Sequence, residues 1–355
     1  MEAHTGELED SMKVPSVQEL AKQKLVTIPS RYVRDDQDRS ISSSDKEVPV
    51  IDLQRLNSTD HSMNLELQKL HFAAKDWGFF QLINHGVSSS VVEKMKSEIQ
   101  KFFNLPLEAK EKFEQLPGDT DGFGQLFVVS DDQKLDWADM FCLKTSPTHL
   151  RKPIFSKLSL SFRETIDAYS EEVKELAMKV LKVLGKAVGI KAEEVNNLFE
   201  KGMQSMRMNY YPPCPQPDLV MGLCPHSDAC ALAILLQVNE TEGLQIRKDG
   251  IWIPILPLPN AFVVNVGDSL EIFSNGIYRS IEHRSVVSAV KERISIATFH
   301  SPRLDGELGP ATSLITADTP PIFKTINVHE YFRGFFTRKL DGKSYLDTMR
   351  ITSAN

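Results

Sequence analysis

Apolar residues in the first half of the chain recur mostly at three- and four-residue steps, the spacing of amphipathic helices. Residues 65–77 and 162–188 show this helical period, and the serines at 88–90 can cap a further helix that runs to Phe103. Two short apolar runs, residues 48–53 and 78–86, have the composition of strands. The pattern therefore predicts a mainly helical N-terminal region with a few strands.

From about residue 203 the pattern changes to short apolar runs separated by turn residues. Asp249-Gly250, Gly267-Asp268 and Asn275-Gly276 supply turn signals close to the spacing found in sandwiches and barrels. Strands and helices do not alternate, so a Rossmann-type sheet is disfavoured and a β jelly roll is predicted. The predicted strands are residues 204–211, 231–238, 244–246, 252–255, 262–266, 285–287 and 293–299.

These changes divide the chain into four parts, which we expect to form one compact unit of mainly β fold with a helical flank. Residues 1–46 are expected to form an N-terminal arm over the surface, partly mobile, with a charged, serine-rich run at 35–45. The helical region then spans 47–202, the jelly-roll core 203–302, and a C-terminal extension of loops and a helix 303–355.

Composition narrows the class of partner. The 355 residues carry a net charge of −7 and a pI near 5.8, which disfavours a general binder of nucleic acids or anionic membranes and leaves a small molecule or a protein. The N-terminus lacks the features of a secretion signal and no apolar run is long enough to span a membrane, so we expect a cytoplasmic protein. Its four cysteines are expected to be reduced thiols.

Candidate metal ligands stand at every second position of residues 222–237, which we predict to form one strand. Cys224, His226, Asp228 and Cys230 would then share a face, but the two cysteines would lie roughly 20 Å apart, too far for one ion. Only neighbouring pairs remain possible. Pro225 removes a strand hydrogen-bond donor and places Cys224 near the strand end, so His226 and Asp228 are the best-placed pair.

A third ligand must come from another strand, and His283 is the best candidate, with His300 as its rival. The separation of 55 positions between Asp228 and His283 is enough for about four strands, so the chain can travel round a roll and return beside its start. Two histidines and one carboxylate on one face are typical of non-haem Fe(II) oxygenases. The pattern therefore predicts a redox metal with room for a cosubstrate and O₂.

A second constellation follows ten residues after His283. Arg293 and Ser295 lie two apart on a predicted strand, so the guanidinium and the hydroxyl face the same side. This pair is well suited to bind a carboxylate, as a dicarboxylate cosubstrate would offer.

In these residues the sequence resembles the plant 2-oxoglutarate- and Fe(II)-dependent dioxygenases. The motif at 338–343 is most similar to the subgroup of senescence-related proteins, alkaloid O-demethylases and norcoclaurine-synthase-like enzymes. Further motifs that carry the resemblance are residues 48–53, 77–86, 122–125, 134–137, 209–217 and 243–245.

The resemblance implies a double-stranded β-helix with an N-terminal helical flank, Fe(II) as the metal and O₂ and 2-oxoglutarate as cosubstrates, with ascorbate as reductant. It also implies particular ligands. Fe(II) would be held by His226, Asp228 and His283, and the distal carboxylate of 2-oxoglutarate by Arg293 and Ser295. Asn209 and Tyr211 would help to hold the cosubstrate.

An aromatic lining is expected for the substrate pocket. Phe299 shares a strand face with Ser295, and Arg207 could reach a substrate anion. Phe123, Phe127 and Phe141 lie in the segment that borders the pocket in similar proteins. We therefore expect a small, largely apolar plant metabolite, an alkaloid or a phenolic.

The resemblance implies hydroxylation or O-demethylation of this substrate by a monomeric enzyme that releases succinate and CO₂. Three alternatives remain open from the sequence. The same fold could catalyse a condensation without 2-oxoglutarate, act as a desaturase, or serve as a non-enzymatic binding protein.

Overall fold

The computed structural model describes residues 12–23, 25–34, 47–58, 61–116, 118–128 and 130–351. Its helices are α1 (Val17–Lys22), α2 (Leu53–Leu56), α3 (His61–Phe72), α4 (Ser89–Phe103), α5 (Leu107–Lys110), α6 (Leu160–Val188), α7 (Ala192–Phe199), α8 (Asp268–Phe273), α9 (Val328–Phe336) and α10 (Ser344–Thr348). The long helix that the period at 162–188 predicts is α6. None of the described helices has the length and apolar character needed to cross a membrane.

The strands are short and concentrated after residue 203, as the turn signals predict. They are β1 (Val50–Asp52), β2 (Phe79–Ile83), β3 (Gly122–Gly124), β4 (Asp139–Ser146), β5 (Gln204–Tyr211), β6 (Leu223–His226), β7 (Leu232–Gln237), β8 (Leu244–Lys248), β9 (Ile251–Pro254), β10 (Phe262–Val266), β11 (His283–Ser285), β12 (Arg293–His300), β13 (Glu307–Leu308) and β14 (Ile326–Asn327). The strand predicted at 285–287 begins two residues earlier.

Two sheets form the core. The larger has the order β1-β2-β10-β7-β12-β5-β4-β3 and the smaller β6-β11-β8-β9. The N-terminal region contributes β1 to β4 to the large sheet, so the helical flank and the β core share one hydrogen-bonded framework. This architecture confirms the predicted jelly roll with a helical flank. The predicted boundary between the helical region and the jelly-roll core, at residues 202/203, stays a prediction.

Alternation along β5 separates the two faces of the large sheet. Met206 and Met208 belong to the main hydrophobic cluster, which also contains α4 and α6. Arg207, Asn209 and Tyr211 point the opposite way and line a cavity. Since successive strand residues face opposite sides, one face packs on the helical flank while the other is free to carry chemistry.

The prediction that residues 222–237 form a single strand is wrong. They form β6 and β7, which belong to different sheets, joined by a bend at 227–231. The bend is stabilised by the start of α8, where Asp268 N donates to Asp228 O at 2.7 Å and Ser269 N to Cys230 O at 3.1 Å. The free N–H groups of a helix start thus satisfy the carbonyls of the bend, an arrangement that the local sequence does not reveal.

The described part of the N-terminal arm packs against the body of the protein. Val17 is fully buried and Tyr32 lies edge-on to Trp137, with 5.2 Å between ring centres. Asp139 accepts hydrogen bonds from Ser16 Oγ at 2.6 Å and from Val17 N at 2.8 Å. The charged run at 35–45, where we expect mobility, lies outside the described residues.

Candidate active site

The two sheets bring His226 and His283 together. His226 ends β6 and His283 begins β11, and the two are direct partners in an antiparallel pair. Their rings lie 4.3 Å apart between centres. Asp228 follows in the bend, so that one nitrogen of each histidine and one oxygen of Asp228 all lie within 4.8 Å of one another. Within the described ranges, these three residues form the one cluster of at least three His, Cys, Asp or Glu side chains with this spacing.

Hydrogen bonds to backbone carbonyls orient the two histidines of the cluster. His226 Nδ1 lies 2.7 Å from Cys224 O, and His283 Nδ1 lies 3.2 Å from Ile281 O. Because a carbonyl can only accept, both histidines carry their proton on Nδ1 and leave the Nε2 lone pair free. The Nε2 atoms lie 3.6 and 3.7 Å from Asp228 oxygens. This donor set fits a divalent transition metal with open positions.

The electrostatics favour the neutral form of His226. Burial and the adjacent His283 lower the pKa of His226 to about 3. A metal ligand must be deprotonated, so His226 is ready to bind a cation at neutral pH without first losing a proton.

Arg293 is a buried charge for which the described ranges of the chain offer no counter-ion. It is 2% exposed, its Nη2 donates to Gln237 Oε1 at 2.9 Å, and the guanidinium lies 5.2 Å from the ring centre of Tyr211. Its Nε has no hydrogen-bond partner, and no carboxylate of the described residues forms an ion pair with it. Burying an unpaired cation is costly, which fits a site that takes up an anionic ligand.

The other predicted cosubstrate residues lie beside Arg293. Ser295 on β12 is the register partner of Asn209 on β5, and Arg293 is the partner of Tyr211. All four line the cavity that also contains the histidine–aspartate cluster. Asn209 Oδ1 is buried and has no hydrogen-bond partner within the described part of the chain. The cavity therefore offers a cation, a hydroxyl and an unsatisfied amide oxygen around one space.

The cavity has a volume of about 130 Å³, roughly ten times the minimum volume of a cavity that can hold one water molecule. Three of the five predicted substrate residues line it, namely Phe127, Phe299 and Arg207. No described residue forms a hydrogen bond to Nε of Arg207. The pocket thus combines an aromatic wall with the guanidinium of Arg207.

The prediction that Phe123 and Phe141 line the pocket is wrong. Both belong to the main hydrophobic core, and Phe141 stacks on Phe102 of α4 with 4.3 Å between ring centres. Cys142 lines the cavity instead. The strand β4 alternates, and its odd positions here face the helices, which the segment's sequence does not disclose.

Sequence reasoning missed the contribution of helix α9, in the C-terminal extension, to the wall of the cavity. Phe332, Phe335 and Phe336 of α9 line the cavity, and Phe336 stacks on Phe127 with rings 5.8 Å apart and 12° from parallel. The run from Tyr331 to Phe336 holds four aromatic residues in six, which is a signal of a buried apolar face, but the sequence does not say which surface that face covers.

Asn265 is a second missed residue. Its Nδ2 donates to Asp228 Oδ2 at 2.8 Å from the neighbouring strand β10. The rival ligand His300 ends β12, outside the cluster, and none of the residues that the structure describes forms a hydrogen bond with its buried Nε2. Cys224 and Cys230 are free thiols that do not join the cluster.

Comparison with known protein families matches residues 202–302 to the 2OG-Fe(II) oxygenase superfamily. Residues 48–159 match the N-terminal region described as non-haem dioxygenase in morphine synthesis. The two matched stretches contain the β core and much of the helical flank.

Individual relatives align over nearly the whole chain. Oxoglutarate-dependent flavonoid 7-O-demethylase 1 of Ocimum basilicum is 56% identical over 343 residues, covering 96% of this chain and 92% of that protein. Thebaine 6-O-demethylase of Papaver somniferum is 53% identical, covering 97% and 98%. The crystal structure of JOX2 in complex with 2OG, Fe and JA has a TM-score of 0.88 at 34% identity, covering 97% of this chain and all of that one.

Proposed function

The chain belongs to the 2OG-Fe(II) oxygenase superfamily, and we propose that it demethylates a methoxy group on a small, largely apolar phenolic or alkaloid. It is a 2-oxoglutarate-dependent dioxygenase of plant specialised metabolism that uses Fe(II) and 2-oxoglutarate. The observation that carries the proposal is that one cavity joins the His226–Asp228–His283 cluster, the unpaired Arg293 and an aromatic wall.

In this proposal His226, Asp228 and His283 hold Fe(II), which supplies the activation of O₂ and the oxidising power when it is bound. Arg293 and Ser295 bind the distal carboxylate of 2-oxoglutarate, because a buried guanidinium forms charge-assisted hydrogen bonds with it. Asn209 and Tyr211 complete this end of the cavity, where both line the wall beside Arg293.

The aromatic end of the cavity binds the substrate. Phe127 and Phe336 are nearly parallel and suit a flat ring system, while Phe299 lies on the same strand face as Ser295. Arg207 is proposed to bind a substrate oxygen or anion, since its Nε lacks a hydrogen-bond partner among the described residues. The relatives named as demethylases of a flavonoid and of thebaine support a substrate of this shape.

The overall reaction balances as R–O–CH₃ + 2-oxoglutarate + O₂ → R–OH + HCHO + succinate + CO₂. One oxygen atom enters succinate and the other enters the methyl carbon. In the resulting hemiacetal R–O–CH₂OH, the bond between the CH₂ carbon and the ether oxygen breaks. Formaldehyde is released, and the hydroxyl proton moves to the ether oxygen to give R–OH.

A condensation without 2-oxoglutarate is not favoured, because the demethylase relatives are highly similar and Arg293 is a buried cation with no carboxylate partner among the described residues. We further propose that the enzyme is a cytoplasmic monomer that binds no nucleic acid, in keeping with its net charge of −7.

The test is a screen of purified protein with O-methylated flavonoids and alkaloids, Fe(II), ascorbate and 2-oxoglutarate. We expect equimolar succinate and formaldehyde and a product lighter by about 14 mass units. His226→Ala should abolish turnover, whereas Cys230→Ser, whose thiol lies outside the cluster, should retain it. Turnover that persists without 2-oxoglutarate would refute the proposal.

A further inference from the structure

The strand that carries His226 lies at the edge of its sheet. The small sheet begins with β6, whose inner side pairs with β11 and whose outer side faces no strand of this sheet. Exposed backbone groups on an edge strand need other partners. Here they come from distant segments, since Gly342 N donates to Pro225 O at 3.2 Å and, two residues before β6 begins, Trp137 N donates to Met221 O at 2.6 Å.

Asp136 supplies a side-chain partner for β6, two residues from His226. Its Oδ1 accepts the backbone N–H of Cys224 at 3.1 Å and Arg34 Nη2 at 2.9 Å. The side chain is 19% exposed, so the carboxylate is largely shielded and its hydrogen bonds are correspondingly strong. Asp136 belongs to the sequence motif at 134–137, to which no role in the chemistry is assigned above.

Cys224 connects Asp136 to His226. Its N–H is held by Asp136, and its carbonyl oxygen lies 2.7 Å from Nδ1 of His226. Fixing the N–H restricts rotation of the backbone on either side of Cys224, and with it the direction of the carbonyl. That carbonyl sets the tautomer and the ring orientation of His226.

We propose that Asp136 is a positioning residue for His226, acting through the backbone of Cys224 and anchored by Arg34 of the N-terminal arm. The proposal rests on the assignment of His226 as a metal ligand. It explains why Cys224, a free thiol next to the cluster, contributes through its main chain. It also gives the N-terminal arm a role in the metal site, some 190 residues away in the sequence.

Asp139 provides a matched control. It is also a buried aspartate of the same segment that anchors the arm, through Ser16, Val17 and Gln18, but it makes no contact with β6 among its hydrogen bonds. A change at Asp139 should therefore loosen the arm and leave the hydrogen bond between Asp136 and Cys224 in place.

The experiment measures Co(II) binding to the full-length protein without 2-oxoglutarate, by titration and by the visible spectrum of bound Co(II). Asp136→Asn keeps an oxygen at Oδ1, where both donors point, so we expect affinity within about twofold of the wild type. Asp136→Glu keeps the charge but displaces the oxygen by one methylene, and should weaken binding by about three- to tenfold and shift the spectrum. Asp139→Asn should lower the thermal midpoint and leave affinity within about twofold.

Unchanged affinity in Asp136→Glu would overturn the proposal. So would an equal loss in Asp136→Asn, because the loss would then not depend on where the accepting oxygen lies, or an equal loss in Asp139→Asn, which would assign the effect to the arm. Failure of the wild-type protein to bind Co(II) would instead count against the metal site itself, so the two proposals fail separately.

Discussion

Asn265 donates a hydrogen bond of 2.8 Å to Oδ2 of Asp228, and thereby fixes the only carboxylate of the candidate metal cluster. The contact links β10 of the large sheet to the bend that follows β6 of the small sheet. Asp228 follows a strand of the small sheet and Asn265 lies in the large sheet, so both sheets together assemble the cluster.

Replacing Asn265 by leucine should lower the affinity for divalent metal by about tenfold, because the Asp228 carboxylate loses its orienting partner. Titration with Mn(II) measures this directly. Asn64→Ala, an exposed change on α3, is the control and should have no effect. Equal affinity of the leucine variant and the wild type would show that Asp228 is held by other contacts.

Arg293→Lys should raise the KM for 2-oxoglutarate by about ten- to a hundredfold, since a point charge replaces the forked guanidinium. Succinate release at varied 2-oxoglutarate measures the change. The exposed Arg303, which pairs with Asp305 at 2.7 Å, offers the control Arg303→Lys. An unchanged KM in Arg293→Lys would contradict the assignment of the carboxylate site.

Phe336→Ala should raise the KM for the organic substrate by about tenfold or more and leave the KM for 2-oxoglutarate unchanged. The ring stacks on Phe127 at the wall of the cavity and removal takes away apolar contact. Steady-state kinetics with a substrate identified by the screen provides the test.

Phe141→Leu is the contrasting variant, because Phe141 is fully buried in the core and stacks on Phe102. It should lower the free energy of unfolding by about 1–3 kcal/mol and leave both KM values unchanged. If Phe141→Leu changed the substrate KM as strongly as Phe336→Ala, the division between core and pocket aromatics would be wrong.

The stability of the metal-free protein should fall as the pH decreases below about 6.5. Burial, reinforced by the charge of Lys174, lowers the pKa of His300 to about 3. The unfolded chain therefore takes up a proton at His300 that the folded chain refuses, so the stabilisation is complete above the unfolded pKa of about 6.5 and is lost as the pH falls towards 3.

Denaturant unfolding in the presence of a chelator, at pH 7.5 and 5.5, measures this loss. His300→Leu should show a smaller loss than the wild type, because the titrating group is gone and Nε2 has no hydrogen bond to lose among the described residues. The exposed His61 serves as the control through His61→Leu, which should keep the wild-type slope. Parallel slopes for all three proteins would contradict the role of His300.

The sequence by itself determined the class of fold and the chemistry. Periods of 3.6 and 2 are local properties, so α6 and most strands of the core follow from the pattern of apolar residues. The spacing of His226, Asp228 and His283, followed by Arg293 and Ser295, predicted a metal and a carboxylate site, because few arrangements on strands can bring these groups to one face.

Tertiary structure decided which face of each element meets the cavity. Alternation separates Phe141 from Cys142, but only the packing of β4 against α4 sends the phenylalanine into the core and the cysteine to the cavity. The contacts of Asn265 with Asp228 and of Asp136 with Cys224 join residues far apart in the chain. Periodicity specifies which residues share one face of a strand. Long-range packing alone decides whether that face contacts the core or the cavity.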